Sequence, residues 1–404
     1  MNDTGDDGGL ASPNGDSAAW SAEGETDLAD RYRSEFPILA DKAYLNSNSL
    51  GALSRRAIAE RHEFERVWNE RGASAWYDTW WTKLEDVRAQ FGRTIAAPAD
   101  TIALMPSVSG ALAVISGALA CAPGESRCKI VMTSLDFPTV GHHYLSRGAL
   151  GYTVEIVDSP DGVTVPLEAI RDAVDGDTLL VATSHVFFTG GTVQDAAAIA
   201  KIAHDAGAYM LLDAYQGNGQ IPLDAPALGV DFLTSGALKW LCGGPGAAFL
   251  YVRPDVDLEP TTLSWFGVED QFDFDIRGAR PRADARRFEL GTPGLGCYVT
   301  AAGGLSIVIE AGIEAIQAWN RVLADDLREQ LERAGHRLHQ SPNPEERSAL
   351  VLIHLEEARR AVEWLAEHDV IVDSRGPLLR FSPHFYNTFA DIERAVQVLA
   401  AFPG

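Results

Sequence analysis

The chain has 404 residues, 46% hydrophobic and 22% charged, with a formal net charge of −24. That length and composition describe a globular protein of about two domains, large enough to bury a core without disulfides or metal. The acidity argues against nucleic acid and anionic membrane as partners, because their phosphates would be repelled.

Residues 1–26 are mostly Gly, Asp, Ser and Asn with little to bury, and a disordered tail is expected there. The segment 27–64 contains the short apolar piece KAYLNSNSLGAL and opens a helix predicted over 54–72. Ser54 fits its N-cap, and Ile58, Phe64 and Trp68 fall on its apolar stripe. After WYDTWW a second helix runs to about Ile95. TIALMPSVSGALAVISGALA then reads as strand, turn and helix. KIVMTSLDFPTV, YTVEIVDS, TLLVATSHVFFTGG, AYMLLDAYQG, VDFLTSG and GAAFLYVRP read as strands. Helices fall between several of them, such as 193–206, which stops at Gly207. Strand and helix in alternation imply an α/β fold, a largely parallel sheet covered on both faces. Beyond residue 301 the pattern changes to helices over 301–319 and 321–334, then SALVLIHL, a helix near 356–367, VIVDSR, PLLRFSP and a last helix from Asp391. This is a smaller α+β unit, and the N-terminal segment is expected to pack with it.

Ligands in open α/β sheets lie beyond the carboxyl ends of the strands. Ser107, Phe137, His185 and Asp213 all fall at such ends. The complete set of lysines is Lys42, Lys83, Lys129, Lys201 and Lys239. Lys239 lies in VDFLTSGALKWLCGGPG, between an apolar run and a glycine-rich turn, with Asp213 ending the apolar run upstream. A lysine able to form a Schiff base and an aspartate able to keep a pyridine nitrogen protonated are the groups a pyridoxal phosphate (PLP) enzyme most needs. The alternative is a surface lysine and a loop aspartate; their joint placement at two strand ends favours the chemistry.

Other residues complete that reading. PSVSGAL places Ser107 and Ser109 where a strand becomes a helix, suited to a phosphate; ordinary N-capping uses the same geometry. Phe137 is a candidate to stack on the pyridine ring or, equally, a core residue. His185 could meet the cofactor's phenolic oxygen or its ring, or be a buried structural histidine. Arg380, inside the apolar run of PLLRFSPHFYN, needs an anionic partner: a substrate carboxylate or an internal Asp or Glu. Trp76, Tyr77, Trp80 and Trp81 either line a pocket for a ring-bearing substrate or form an aromatic core.

In family order, YLNSNSLGAL, LMPSVS, DFPT, SHVFFTGG, LLDAYQGNGQIPLD, VDFLTSGALKWLCGGPGAAFLYV, SWFG, RRFELGTPG and LLRFSPHFYNT resemble the class V, fold-type I PLP enzymes, most of all the kynureninase-like branch. The resemblance implies a mixed, mostly parallel seven-stranded sheet with a smaller α+β domain, and a homodimer with shared active sites. It divides the chain into 27–64 with the small domain, 65–300 as the large PLP-binding domain, and 301–404 as the small domain. By the same resemblance Lys239 carries the cofactor and Asp213 meets its pyridinium, with His185 as a further catalytic candidate. Ser107, Val108, Phe137, Gln216 and Ser235 would hold the cofactor. Trp265 and Thr292 would reach the phosphate from the partner subunit. Arg380, Asn48 and Tyr77 would take the substrate.

The chain departs from kynureninases in three places: Leu238 where a tyrosine is usual, Gln216 for a histidine, and Val140 for an aspartate. No cysteine follows Cys297, which argues against the mobile nucleophile of a cysteine desulfurase. The expected activity is a PLP-dependent reaction of an L-amino acid through a Schiff base and quinonoid, with side-chain cleavage by a lyase or hydrolase ranked ahead of transamination. Decarboxylation or epimerisation are further outcomes, and a non-catalytic PLP-binding module is the least favoured. Cys121, Cys128, Cys242 and Cys297 form no CxxC pair, and reduced thiols are expected. No basic, apolar leader opens the sequence and no apolar stretch reaches membrane length, so residence in the cytoplasm is expected.

Overall fold

The computed structural model describes residues 26–119, 121 and 127–403. The tail expected over 1–26 lies outside the described residues, apart from Thr26, which starts the first helix. The chain opens with α1 (Thr26–Tyr32), the two-residue strand β1 (Ala43–Tyr44), α2 (Arg55–Arg71) and α3 (Trp80–Thr94). Ser54 caps α2 as expected, its Oγ accepting from Ala57 N at 3.0 Å. The predicted stripe of α2 is only partly right, since Trp68 is 59% exposed and Ala57 and Val67 are the buried positions. The helix lies so close to the later helix Leu295–Ala311 that a Cβ on Gly303 would collide with the Ala57 backbone, which leaves no room there for a large side chain.

The large sheet is built by β2 (Ile102–Met105), β3 (Lys129–Thr133), β4 (Thr153–Val157), β5 (Thr178–Ser184), β6 (Tyr209–Asp213), β7 (Phe232–Gly236) and β8 (Ala248–Val252). Between them run α4 (Val108–Ala118), α5 (Pro138–Leu145), α6 (Leu167–Ala173), α7 (Ala196–Asp205) and α8 (Ala225–Leu228). The order is β2-β8-β7-β6-β5-β3-β4, with β8 antiparallel to both neighbours and every other pair parallel. This is the mixed, mostly parallel seven-stranded sheet expected from the sequence. Apart from the edge strand β4, which is largely exposed, its strands are buried on both faces: Met210 and Leu212 of β6 join one core and Leu211 the other, as period-two alternation requires.

After the sheet come α9 (Leu295–Ala311) and α10 (Ile313–Arg333). The break falls at Gly312, φ 81°, and not near Asn320 as expected. Asn320 is buried within α10, between Trp319 and Leu323, so the apolar face runs uninterrupted through the expected boundary. The remaining elements are β9 (Val351–His354), α11 (Ala358–Glu367), β10 (Val370–Ile371), β11 (Asp373–Arg375), β12 (Leu378–Phe381) and α12 (Phe389–Ala400). Strands β11, β12 and β9 form an antiparallel sheet in which Asp373 lies directly opposite Arg380. Strand β1 pairs with β10, and Asn46 bridges to Ser382, so residues near 45 are built into the C-terminal unit.

One expectation is corrected here and one open alternative is resolved. Cys121 and Cys128 are joined by a disulfide with Cα atoms 5.4 Å apart, because the end of α4 and the start of β3 converge; Cys242 and Cys297 are free. Trp76, Trp80 and Trp81 pack on one another and on Phe64 and Phe266, which makes them an aromatic core. No single helix among the described residues is long and apolar enough to cross a membrane.

Candidate active site

The carboxyl ends of β2, β5 and β6, the turn after β7 and the N-terminus of α4 enclose a cavity of about 250 Å³. Lys239 projects into it from that turn, its Nζ 4.7 Å from the ring centre of Tyr215 and 5.5 Å from that of Phe137. The backbone around the lysine is pinned. Gly51 N donates to Leu238 O at 2.8 Å, Cys242 N to Lys239 O at 3.0 Å, and Gly243 N to Ala237 O at 2.7 Å. Burial lowers the lysine's pKa to about 8; the Asp213 charge opposes this, and the cations of Arg380 and Arg375 add to it.

Asp213, at the end of β6, lines the same cavity. Its Oδ1 accepts from Tyr215 N at 2.9 Å. Burial raises its carboxyl to about 6, with the Tyr215 hydrogen bond and the Lys239 charge pulling down and the Asp136 charge pushing up. Asp136, which the sequence reading passed over, is buried and takes four donors: Thr133 N and Oγ1 at 2.8 and 3.0 Å, Thr183 Oγ1 at 3.0 Å, and Ser184 N at 2.6 Å. It ties the ends of β3 and β5 together immediately before Phe137. Its signal was present in LDFPT, a carboxylate in a strand-end turn with no cation beside it. Tyr215 was also missed. Its ring fits because residue 236 is glycine: a Cβ there would collide with the tyrosine ring and hydroxyl.

Ser107 N-caps α4, its Oγ accepting from Gly110 N at 3.1 Å. Ser107, Val108 and Ser109 line the cavity, so the helix terminus, whose first N–H groups have no intrahelical acceptor, opens onto it. Phe137 is no core residue. It is 40% exposed, lines the cavity and meets Phe188 edge-on at 5.2 Å.

Gln216 lines the cavity, but its amide is used internally. Nε2 donates to Asn48 O at 3.0 Å, and Oε1 accepts from Trp240 Nε1 at 2.9 Å. It is a strut between the Asn48 segment and the residue after Lys239. His185 is not brought to the cavity. Ser184 and Val186 line it, and the extended chain turns the intervening His185 ring against Gly217. Its Nδ1 has no hydrogen-bond partner among the described residues, and burial lowers its pKa to about 4. The Ser235 hydroxyl is buried without a partner among the described residues and lies outside the cavity lining.

Three residues expected at the site are separate from it in this chain. Tyr77 is 79% exposed, Trp265 is 41% exposed and packs on Phe272 and Phe274, and Thr292 is exposed. Arg380 is buried just outside the lining. Its Nη1 donates to the carbonyl of cavity residue Phe188 at 3.0 Å, and Nη2 to Ser49 Oγ at 3.0 Å and Asp373 Oδ2 at 2.7 Å. The internal carboxylate is therefore present. Asn48 lies against it: with the amide oxygen turned to the guanidinium, Asn48 accepts from Arg380 Nη2 at 3.0 Å and donates to Ser382 Oγ at 2.7 Å.

A family model described as aminotransferase class-V matches residues 43–394. Over 376 residues the chain is 34% identical to a Bacillus subtilis (strain 168) protein named uncharacterized aminotransferase YcbU, covering 93% of this chain and 98% of that one. It is 29% identical to the kynureninase of Pseudomonas fluorescens, over 91% of this chain and 90% of that one. Among solved structures, a C-DES mutant with glycine covalently linked to its PLP cofactor superposes with a TM-score of 0.82 at 20% identity, covering 92% of this chain and 99% of that one. That last likeness is one of fold.

Proposed function

The chain belongs to the class-V aminotransferase family, and from that premise we propose that it is a pyridoxal 5'-phosphate enzyme that cleaves a side-chain bond of an L-amino acid. The observation that carries the reading is Lys239, an amine set between two aromatic rings in a cavity that also holds a buried carboxylate and a helix N-terminus. The residues fit the cofactor: Lys239 to bind its aldehyde, Asp213 its ring nitrogen, Phe137 its ring face, and Ser107 with Val108 its phosphate. When bound, the cofactor supplies an electron sink for bonds broken next to the substrate's α-carbon.

The protein's own groups are suited to the rest. With a pKa near 8, roughly a tenth of Lys239 is neutral near pH 7, far more than at the ordinary lysine value, and is free to attack a carbonyl or to carry a proton. Among the described residues the Asp213 carboxylate has one donor, on Oδ1, which leaves Oδ2 to hold a proton on the ring nitrogen. Arg380 takes the α-carboxylate, with Asn48 beside it. Val186, Phe188 and Leu238 give the cavity apolar walls, which exclude water and favour an uncharged side chain. Trp265 and Thr292 reach this cavity from the partner subunit of a homodimer, in a cytoplasmic protein whose large domain spans 65–300 and whose small domain joins 27–64 to 301–404.

Side-chain cleavage is supported by the kynureninase relative. Kynurenine itself is disfavoured: Val140 is fully buried, Gln216 is occupied internally, and Leu238 brings no hydroxyl. Transamination is the second reading, supported by the name of the 34% identical relative. The test is a spectral screen of amino acids against the holo-protein, with mass analysis of the products. Pyruvate or ammonia supports elimination, anthranilate supports kynureninase chemistry, and a pyridoxamine form supports transamination. Borohydride reduction followed by peptide mapping must place the cofactor on Lys239; a label elsewhere, or none, overturns the reading.

A further inference from the structure

The Asp373 carboxylate touches three donors through one oxygen. Its Oδ2 lies 2.7 Å from Arg380 Nη2, 2.7 Å from Arg375 Nη1 and 2.5 Å from Ser49 Oγ. The two arginines differ. The Arg380 side chain is 1% exposed and that of Arg375 is 45% exposed, with the Asp373 side chain between them at 23%. Strand register puts Asp373 opposite Arg380, so the aspartate meets the guanidinium without reaching. Its hold on Arg380 is a single contact where a carboxylate can make two, because its other oxygen, Oδ1, accepts from Ser374 N at 2.7 Å. Arg380 also sits behind Phe188, whose carbonyl it binds and whose side chain lines the Lys239 cavity.

We infer that Asp373 is a displaceable stand-in: with no ligand bound it occupies the guanidinium that receives the substrate carboxylate, and on binding it swings to Arg375 alone. This inference rests on the assignment of Arg380 as the carboxylate receptor. The exchange conserves charge pairing. The incoming carboxylate takes Arg380, and Asp373 keeps a partner that is open to solvent, so neither anion is left buried and unpaired. A ligand without a carboxylate cannot displace Asp373 and gains nothing from Arg380. Arg380 makes the site discriminate against amines, and the aspartate narrows that margin, because it lowers carboxylate affinity by the fraction of molecules whose receptor is free.

Dissociation constants of the holo-protein for L-alanine and for ethylamine, its decarboxylated counterpart, test this by calorimetry and by the cofactor's visible spectrum. Asp373→Asn is expected to tighten L-alanine binding roughly tenfold, corresponding to a receptor free in about one molecule in ten, and to leave ethylamine unchanged. Ser49→Ala, which loosens the aspartate without removing a charge, is expected to move L-alanine in the same direction by a smaller factor. L-alanine affinity no better than wild type in both variants, or an equal change for ethylamine, overturns the stand-in. Arg380→Ala separates the two ideas. If it leaves the preference for L-alanine over ethylamine intact, the receptor assignment itself is wrong. If it removes the preference while Asp373→Asn tightens nothing, only the stand-in fails.

Discussion

Arg88 and Arg380 are both buried arginines paired with carboxylates, and the protein holds them in opposite ways. Arg88 of α3 is gripped by Glu289: Nε and Nη2 reach Oε1 at 3.0 and 2.7 Å, Nη2 reaches Oε2 at 2.9 Å, and Nη1 turns to Glu85 at 2.8 Å. Glu289 also accepts from Leu104 N at 2.9 Å, which fixes the first strand of the large sheet. Its side chain is 3% exposed against 23% for Asp373. For Glu289, burial outweighs every partner and holds the carboxyl above its usual range. For Asp373, burial also pushes up, but the Ser49 hydrogen bond and Arg380 bring it below the usual range. One pair is closed and many-handed; the other is open on one side, single-handed and shared. A buried ion pair can thus be a joint or a latch, and hydrogen-bond count with one-sided exposure tells which.

The largest effect that would break this contrast is on stability. Arg88→Ala strands Glu289 and should cost about 3–5 kcal/mol of unfolding free energy, read by denaturant titration. It should not change the ratio of L-alanine to ethylamine affinity, and a changed ratio would make the two arginines alike. Arg380→Ala should act on the ligand, weakening carboxylate binding by about 2–5 kcal/mol in calorimetry. Smaller than either is the effect of an uncharged control. Gln216→Leu leaves Trp240 Nε1 and the Asn48 carbonyl without their partner and should cost about 1–3 kcal/mol of stability, with affinity losses shared by both ligands.

The smallest effect is a pH shift. Cofactor uptake by the apo-protein, followed as growth of its visible band, needs the neutral lysine. Its rate should rise with pH about a midpoint near 8, below the ordinary lysine value. Burial and the Arg380 cation both lower that value, so Arg380→Ala should move the midpoint upward. Arg88→Ala should leave it where it is.

Much of this site was legible in the sequence, because strand ends are easy to find and open α/β sheets use them. Lys239, Asp213, Phe137 and Ser107 converge on one cavity for that reason. His185 lies a single step of alternation away from the lining: position along a strand was readable, but not the side to which its ring would turn. Trp265, Thr292 and Tyr77 are surface residues of one chain, and a linear pattern does not say what covers a surface. Asp373 went unnoticed because its meaning depends on hairpin register. VDSR and LLRF flank Gly376 and Pro377, and only their pairing puts the aspartate across from Arg380. The helix boundary at Gly312 was lost for a plainer reason, an apolar face that ran straight through the expected stop.

The junction between β1 and β10 orders events during synthesis. The seven large strands end at Val252, so that sheet can assemble while the last third of the polypeptide is still on the ribosome. Asn48 and Ser49, made early, find their partners Ser382, Asp373 and Arg380 only after the final strand has emerged. A nascent chain halted before Val370 would carry the reactive amine yet have nothing to greet a carboxylate. On the proposed assignment of Arg380, selectivity is the last property this protein acquires.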